Sequence, residues 1–366
     1  MDVGKNFIHK VPVYCMNRIK EVIERIGMPD RESMRLARER QDTLTKPPRS
    51  LGVLEDLSVN VAGITGTPMP ELTDRVIITM AGDHGVADEG VSAFPREVTA
   101  QMVYNFLNGG AGINVLARHV GARVVVVDMG VAAHIAPHEK LVVKKIGYGT
   151  ADMSLGPAMS YEDAIKSIAA GMEVLEHEIE HGVAIVGTGD MGLGNTTPSS
   201  ALVAFITGAE VESVTGRGTG LDDAGLERKI AVIKRALVVN KPDRADAVDI
   251  LAKIGGFEIG GMTGVMLAAA SRKIPVVIDG FISGAAALIA YELNPRVKDY
   301  LIASHLSVES GHRALLDYIG LEPLFNLEMR LGEGTGAALG ISIVVASCTV
   351  LREMATFEEA GVAEKR

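Results

Sequence analysis

Residues 183–197 read Val183-Ala184-Ile185-Val186-Gly187-Thr188-Gly189-Asp190-Met191-Gly192-Leu193-Gly194-Asn195-Thr196-Thr197. A short apolar run, mostly β-branched and without alternation, passes directly into a glycine-rich polar segment. Such a run marks a strand buried on both faces, as in a parallel sheet. The pattern recurs at 76–80, 123–127, 275–278 and 300–303. Each run leads into polar sequence: Ala81-Gly82-Asp83-His84-Gly85, Asp128-Met129-Gly130, Asp279-Gly280 and Ser304-His305. Helical stretches lie between them. Ser160, with Asp163 three residues on, opens one that runs to about His181, and 221–239 is another that stops before Pro242. The alternation predicts an α/β fold: a doubly wound, mainly parallel sheet in three αβα layers. Ligands of such sheets bind beyond the carboxyl ends of the strands, so a composite site is expected at that edge.

The chain ends look helical. Residues 1–60 break at Thr45-Lys46-Pro47-Pro48-Arg49-Ser50-Leu51-Gly52, where two prolines cannot continue a helix. The predicted division is a small helical domain from 1–60 plus 335–366 and a large α/β domain, 61–334. The polar segment 356–366 is expected to fray.

Composition narrows the function. The chain has 366 residues, 41 of them Gly, with 7 Tyr, 8 Phe and no Trp. Glycine lies above the usual ~7%, yet shows no collagen period and no linker tract. Its clusters beside apolar runs suggest tight turns or backbone lying close to a ligand. The net charge of −10 and the absence of a basic block argue against nucleic acid as partner. Two cysteines, Cys15 and Cys348, fit a reducing cytoplasm. The start, MDVGKNFIHK, has no signal-peptide core, and the longest apolar run, 339–351, reads as too short to span a membrane.

Gly187-Thr188-Gly189-Asp190-Met191-Gly192 spells G-x-G-x-x-G, but where a dinucleotide fold ends a second strand in an acidic residue, Glu210 and Glu212 here precede another glycine loop, Gly216 to Gly220. A phosphate cradle with Asn195-Thr196-Thr197 at a helix start is the alternative, and bare turns are another. His177-Glu178-Ile179-Glu180-His181 spells the zinc-protease string H-E-x-x-H. Its place in the last turn of a charged helix suits a solvated helix end better. His305 and His312 either contact a ligand or pack at the sheet edge. In Gly332-Glu333-Gly334-Thr335-Gly336 one carboxylate stands between glycines before an apolar helix. It reads as a general base in a partly dry pocket or as a helix N-terminal acid.

Taken in order along the chain, several stretches resemble the nicotinate-nucleotide–dimethylbenzimidazole phosphoribosyltransferase family. They are Leu44 to Gly52, Ala81 to Val86, Pro95 to Met102 with Asn108-Gly109-Gly110, Gly192 to Thr197, Gly216 to Gly220, Ile278-Asp279-Gly280, His305 to His312 and Gly332 to Gly336. The resemblance spans about 40–355. It implies transfer of the ribosyl phosphate of nicotinate mononucleotide to an aromatic base, with inversion to the α-anomer and release of nicotinate, in assembly of the cobamide lower ligand. No metal or redox cofactor is implied. Because nicotinate leaves from a cationic linkage, one base suffices, and the resemblance puts Glu333 in that role. It places Asp190, where relatives often have Glu, and Lys229 beside the nucleotide. Gly192, Gly194, Asn195, Thr196, Thr197, Gly216, Gly218 and Ser307 would hold phosphate and ribose, with Gly332 and Gly334 flanking the base. Phe94 and Met102 would line an apolar acceptor pocket. Dimethylbenzimidazole is the first acceptor implied, with phenols or purines as alternatives. A homodimer or a heterodimer with a paralogue is implied, with no nucleic acid and no membrane.

Overall fold

The computed structural model describes residues 10–363. The expectation for the first nine residues lies outside them. Six strands form one all-parallel sheet in the order β3-β2-β1-β4-β5-β6: Arg75–Gly82, Arg123–Gly130, Leu141–Val143, Ile185–Met191, Val276–Ile278 and Leu301–Ala303 are β1 to β6 in chain order. This is the doubly wound α/β fold expected from the alternation. The strand order reverses between β1 and β4, which opens a crevice at their carboxyl ends.

Side chains alternate across the sheet into two cores. Val76, Ile78 and Met80 enter one with helices Tyr161–Glu180 and Phe257–Ser271. Ile77 and Ala81 enter the other with Gly112–His119 and Thr335–Glu353. Both faces are covered, which is why the strands read as continuous apolar runs rather than alternating ones.

Three expectations are corrected. The short strand Leu141–Val143 was not foreseen, because its three residues pair only along the β2 edge. The strand foreseen at 183–186 instead covers Ile185–Met191, so Gly187, Gly189 and Asp190 belong to the sheet. The G-x-G-x-x-G string is therefore mostly strand, and its glycines answer to packing. A Cβ on Gly187 would lie 3.1 Å from Ala337 Cβ, and one on Gly189 only 2.3 Å from the Glu333 carbonyl oxygen. Part of the glycine excess is also unrelated to loops. A Cβ on Gly171 would lie 1.8 Å from the Gly261 carbonyl, so helices Tyr161–Glu180 and Phe257–Ser271 pack backbone to backbone.

The predicted helix starting at Ser160 is Tyr161–Glu180, with the Ser160 hydroxyl accepting the Asp163 N–H at 3.0 Å. The chain ends form helices Lys10–Glu24, Arg31–Thr43 and Val53–Thr65. Arg31–Thr43 and the segment after it are stitched to the C-terminal segment by Thr45 N–H donating to Ala355 O at 3.0 Å and Arg40 Nε donating to Leu351 O at 2.7 Å, whereas Lys10–Glu24 packs on Tyr161–Glu180, with Ile19 and Val22 in the first core. The 356–363 segment is ordered rather than frayed at its start: Thr356 caps a one-turn helix, Phe357–Ala360, reciprocally with Glu359. The apolar run at 339–351 is part of a 19-residue helix, Thr335–Glu353, which has the length and composition to cross a bilayer. Ala337, Ala338, Ile341 and Val344 are fully buried in the second core, so tertiary packing accounts for its apolarity.

Candidate active site

A cavity of about 650 Å³ lies beyond the carboxyl ends of the central strands. Three acidic or imidazole groups come to its wall from successive strand ends, Asp190 near the end of β4, Asp279 after β5 and His305 after β6, and Glu333 joins them from just before the helix Thr335–Glu353.

Glu333 is held in the left-handed region, φ 65°, a conformation that a side chain other than glycine reaches only when its surroundings impose it. Three contacts impose it. Its N–H donates to the Asp190 carbonyl at 3.2 Å, and its carbonyl accepts from Thr79 Oγ1 at 2.9 Å. The next residue, Gly334 at φ 98°, donates its N–H to Asp279 Oδ2 at 3.1 Å. Asp279 Oδ1 also accepts from Gly336 at 2.6 Å and Ala337 at 3.1 Å. Asp279 therefore anchors the start of Thr335–Glu353 and engages its Gly336 and Ala337 N–H groups. Glu333 does not serve that helix as an N-terminal acid. Its carboxylate turns to another helix, Gly112–His119, where Oε2 accepts the Ile113 N–H at 3.0 Å. Glu333 is 5% exposed, and burial lifts its carboxyl above the usual range while the Ile113 and Gly112 N–H groups oppose the shift.

Asp190 Oδ2 accepts from Asn195 Nδ2 at 2.8 Å. Burial pushes the Asp190 carboxyl well up, and the charges of Asp279, Glu258 and Glu333 add to it. Burial also raises Asp279, to about 7, against its backbone N–H donors. His305 lines the cavity with its ring stacked on Phe325, centroids 5.9 Å apart, and burial lowers its pKa. His312 is fully buried behind it and is pushed down to about 3, so it is neutral, and its Nδ1 accepts the Ser307 N–H at 2.8 Å. The two histidines thus divide the alternatives left open for them: one faces the cavity and the other fixes Ser307.

Of the residues named in advance, Asp190, Gly192, Asn195, Thr196, Gly218 and Ser307 line the cavity. Phe94, Met102, Gly332 and Glu333 do so as well. The other five stand behind the wall. Lys229 is fully buried, and its Nζ donates to Thr196 Oγ1 at 2.7 Å and to Gly216 O at 3.2 Å, so it holds a lining residue in place. Burial lowers the Lys229 ammonium to about 8. Gly216 makes room for Glu309, whose Oε2 would lie 2.1 Å from a Cβ there. Gly194 turns the chain at φ 84°, Thr197 is fully buried, and Gly334 belongs to the Asp279 anchor. Glu309 and Arg330 also line the cavity and were not singled out; Glu309 lies inside the His305 to His312 stretch and Arg330 just before Gly332-Glu333, which is the signal that marks them.

The H-E-x-x-H string remains a helix end. His177 and His181 are exposed, and Glu178 accepts from Arg123 Nη1 at 2.6 Å. Among the described residues no three His, Cys, Asp or Glu side chains converge as a metal site.

Buried carboxylates at Asp190, Asp279 and Glu333, set among glycines and hydroxyls at the switch point of a parallel sheet, define an α/β enzyme with its ligand site at the strand ends. The chain belongs to the phosphoribosyltransferase family whose model matches residues 26–362. A nicotinate-nucleotide–dimethylbenzimidazole phosphoribosyltransferase of Roseiflexus sp. (strain RS-1) is 61% identical over 350 residues, covering 96% of this chain and 99% of the relative. The enzyme of the same name from Desulforudis audaxviator is 59% identical, with 96% and 99% covered. The crystal structure of CobT from Thermus thermophilus superposes with a TM-score of 0.88 at 43% identity, covering 91% of this chain and all of the other.

Proposed function

We propose that this chain is the phosphoribosyltransferase that moves the ribosyl phosphate of nicotinate mononucleotide to dimethylbenzimidazole, with Glu333 as the base. The names of relatives at 61% and 59% identity over nearly the whole chain support the reaction. One ring nitrogen of the acceptor attacks C1′ from the α face. The bond from C1′ to the pyridinium nitrogen breaks, and its electron pair stays on that nitrogen, neutralising the ring, so that nicotinate departs carrying only its carboxylate charge. Glu333 takes the proton from the other ring nitrogen of the acceptor. Phenolic or purine acceptors, a dinucleotide-dependent oxidation and a non-catalytic binding subunit are not needed to account for the family or the site.

The observation that carries the assignment of the base is the buried Glu333 carboxylate on the cavity wall, fixed at Oε2 by Ile113. A raised carboxyl suits a base working near neutral pH. Asp190, with Asn195, faces the ribose of the nucleotide. Lys229 acts through Thr196 on the phosphate, with Gly218 and Ser307. Phe94 and Met102 receive the acceptor ring.

The same reading includes a cytoplasmic protein, for which the free Cys15 and Cys348 speak. It also includes pairing with a second copy or a paralogue, supported by the exposed Phe94 and Leu331, both of which line the cavity. It keeps the division into a helical unit, 1–60 with 335–366, and a sheet-bearing unit, 61–334. Incubation of the protein with nicotinate mononucleotide and dimethylbenzimidazole tests the reaction. Mass spectrometry is expected to show free nicotinate and the α-ribosyl phosphate in equal amounts. Neither product appearing overturns it.

A further inference from the structure

The part of the cavity assigned to the substrate phosphate contains a carboxylate that the scheme above does not use. Glu309 lines the wall there together with Thr196, Gly218, Thr219 and Ser307. Its Oε2 lies against Gly216, only 2.1 Å from where a Cβ would stand, so a glycine is what gives it room. That oxygen is buried, and among the described residues no group donates to it. The same loop meets the buried lysine. Lys229 Nζ donates to Thr196 Oγ1 at 2.7 Å and to Gly216 O at 3.2 Å. A Cβ on Gly218 would lie 3.4 Å from that Nζ and 2.9 Å from Thr196 Oγ1. Carboxylate, ammonium and glycine loop therefore form one knot, with Glu309 on the wall and Lys229 behind it.

A carboxylate is an unfavourable neighbour for a phosphate. A phosphate monoester carries about −1.5 to −2 charges at pH 7, with its second pKa near 6. Two anions brought together away from water do not both stay charged, and the pair settles by sharing a proton. The positive charges that face Glu309 are Lys229, from Asp223–Asn240, and Arg330, ahead of Glu333, and the Gly218 N–H faces it from the glycine loop. Lys229 is engaged with Thr196 and Gly216, and Arg330 is exposed. Burial outweighs them and already raises the Glu309 carboxyl above its usual range before any second anion arrives.

We propose that the site binds the nucleotide phosphate together with one proton, which Glu309 carries, its carboxyl O–H donating to a phosphate oxygen. Glu309 is then a specificity-determining residue for the phosphate end of the substrate. The inference rests on the reading that Thr196, Gly218 and Ser307, with Lys229 behind them, hold that phosphate.

Calorimetry of the full-length protein at about pH 7, in buffers of different ionisation enthalpy, counts the proton. At that pH a Lys229 ammonium of pKa about 8 is already charged in the empty enzyme. Nicotinate riboside, which lacks the phosphate, reports the uptake due to the rest of the site. Nicotinate mononucleotide is expected to exceed it by roughly one proton per molecule bound. In Glu309→Gln the side-chain amide donates to the phosphate without titrating, and that excess is expected to vanish. Between about pH 7 and pH 8 affinity for the nucleotide should fall roughly tenfold in the native chain and less than about twofold in Glu309→Gln. Equal uptake for the two ligands, or an excess that persists in Glu309→Gln, overturns the proposal. If Glu309→Gln does not fold, the comparison of the two ligands on the native chain decides alone. A nucleotide that binds no more tightly than the riboside removes the phosphate site itself, and the inference with it. A nucleotide that binds more tightly without extra proton uptake leaves the phosphate site standing and removes only the role of Glu309.

Discussion

The Glu333 carboxylate docks on the amino-terminal end of a helix 220 residues away in sequence, its Oε2 accepting the Ile113 N–H at 3.0 Å. A helix N-terminus favours a negative charge. Burial of the same side chain disfavours it. The two act against each other, with burial the larger, so the carboxyl is raised but not extinguished as a base. The contact also fixes the direction from which Glu333 meets a proton.

Glu333→Gln keeps the shape and can still accept the Ile113 N–H, but it cannot take a proton. The rate of ribosyl transfer is expected to fall about 100-fold or more, the usual scale of a positioned base. Nicotinate mononucleotide should bind with unchanged affinity by calorimetry. A near-normal rate would remove Glu333 from the mechanism.

Gly189→Ala would set a methyl group 2.3 Å from the Glu333 carbonyl oxygen, against backbone that is itself fixed by Thr79 and Asp190. The helix start must shift, and with it the base. We expect a loss of about 1–3 kcal/mol in stability, typical of overpacking, and a lower kcat. Denaturant unfolding and steady-state rates measure both effects, and an enzyme unaltered in both would contradict the close packing.

Lys229 gives an alkaline limit. Its folded pKa is depressed to about 8 from an ordinary 10.5, so the unfolded chain holds the proton more tightly. The stability this group contributes is therefore present above about 10.5 and is lost as pH falls through about 8. Unfolding free energy should rise from pH 8 toward 10.5 relative to Lys229→Met, whose profile lacks that slope. A phosphate held through Thr196 favours the charged ammonium, so affinity for nicotinate mononucleotide should decline above about pH 8 in the native enzyme. Parallel profiles for the two proteins would contradict the linkage.

Phe94 and Met102 are apolar side chains lining the cavity. Truncating Phe94 to Ala removes contact area for an aromatic acceptor and should raise KM for dimethylbenzimidazole about tenfold. KM for nicotinate mononucleotide should stay within about twofold, since that substrate is read elsewhere in the cavity. Equal increases in both would place Phe94 at the wrong end.

Much of the fold was legible because strands buried on both faces read as continuous β-branched runs. Their polar ends located the site at one edge of the sheet. Leu141–Val143 escaped notice because three residues at a sheet edge carry little pattern. Glycine misled in part: a strand glycine under Glu333 and helix glycines at Gly171 and Gly261 look, in sequence, like loop glycines.

The sequence by itself determined the layer order, the edge at which chemistry occurs and the single carboxylate between glycines. Tertiary structure decided what that carboxylate does. Thr79 from β1, Asp190 from β4 and Asp279 after β5 converge to hold Glu333 in the left-handed region, and Ile113 orients its side chain. Those partners are far apart along the chain and meet only because the strand order reverses between β1 and β4. A conformation that costs an isolated residue energy is stable here because three separate contacts to its own and the next residue's backbone share the load.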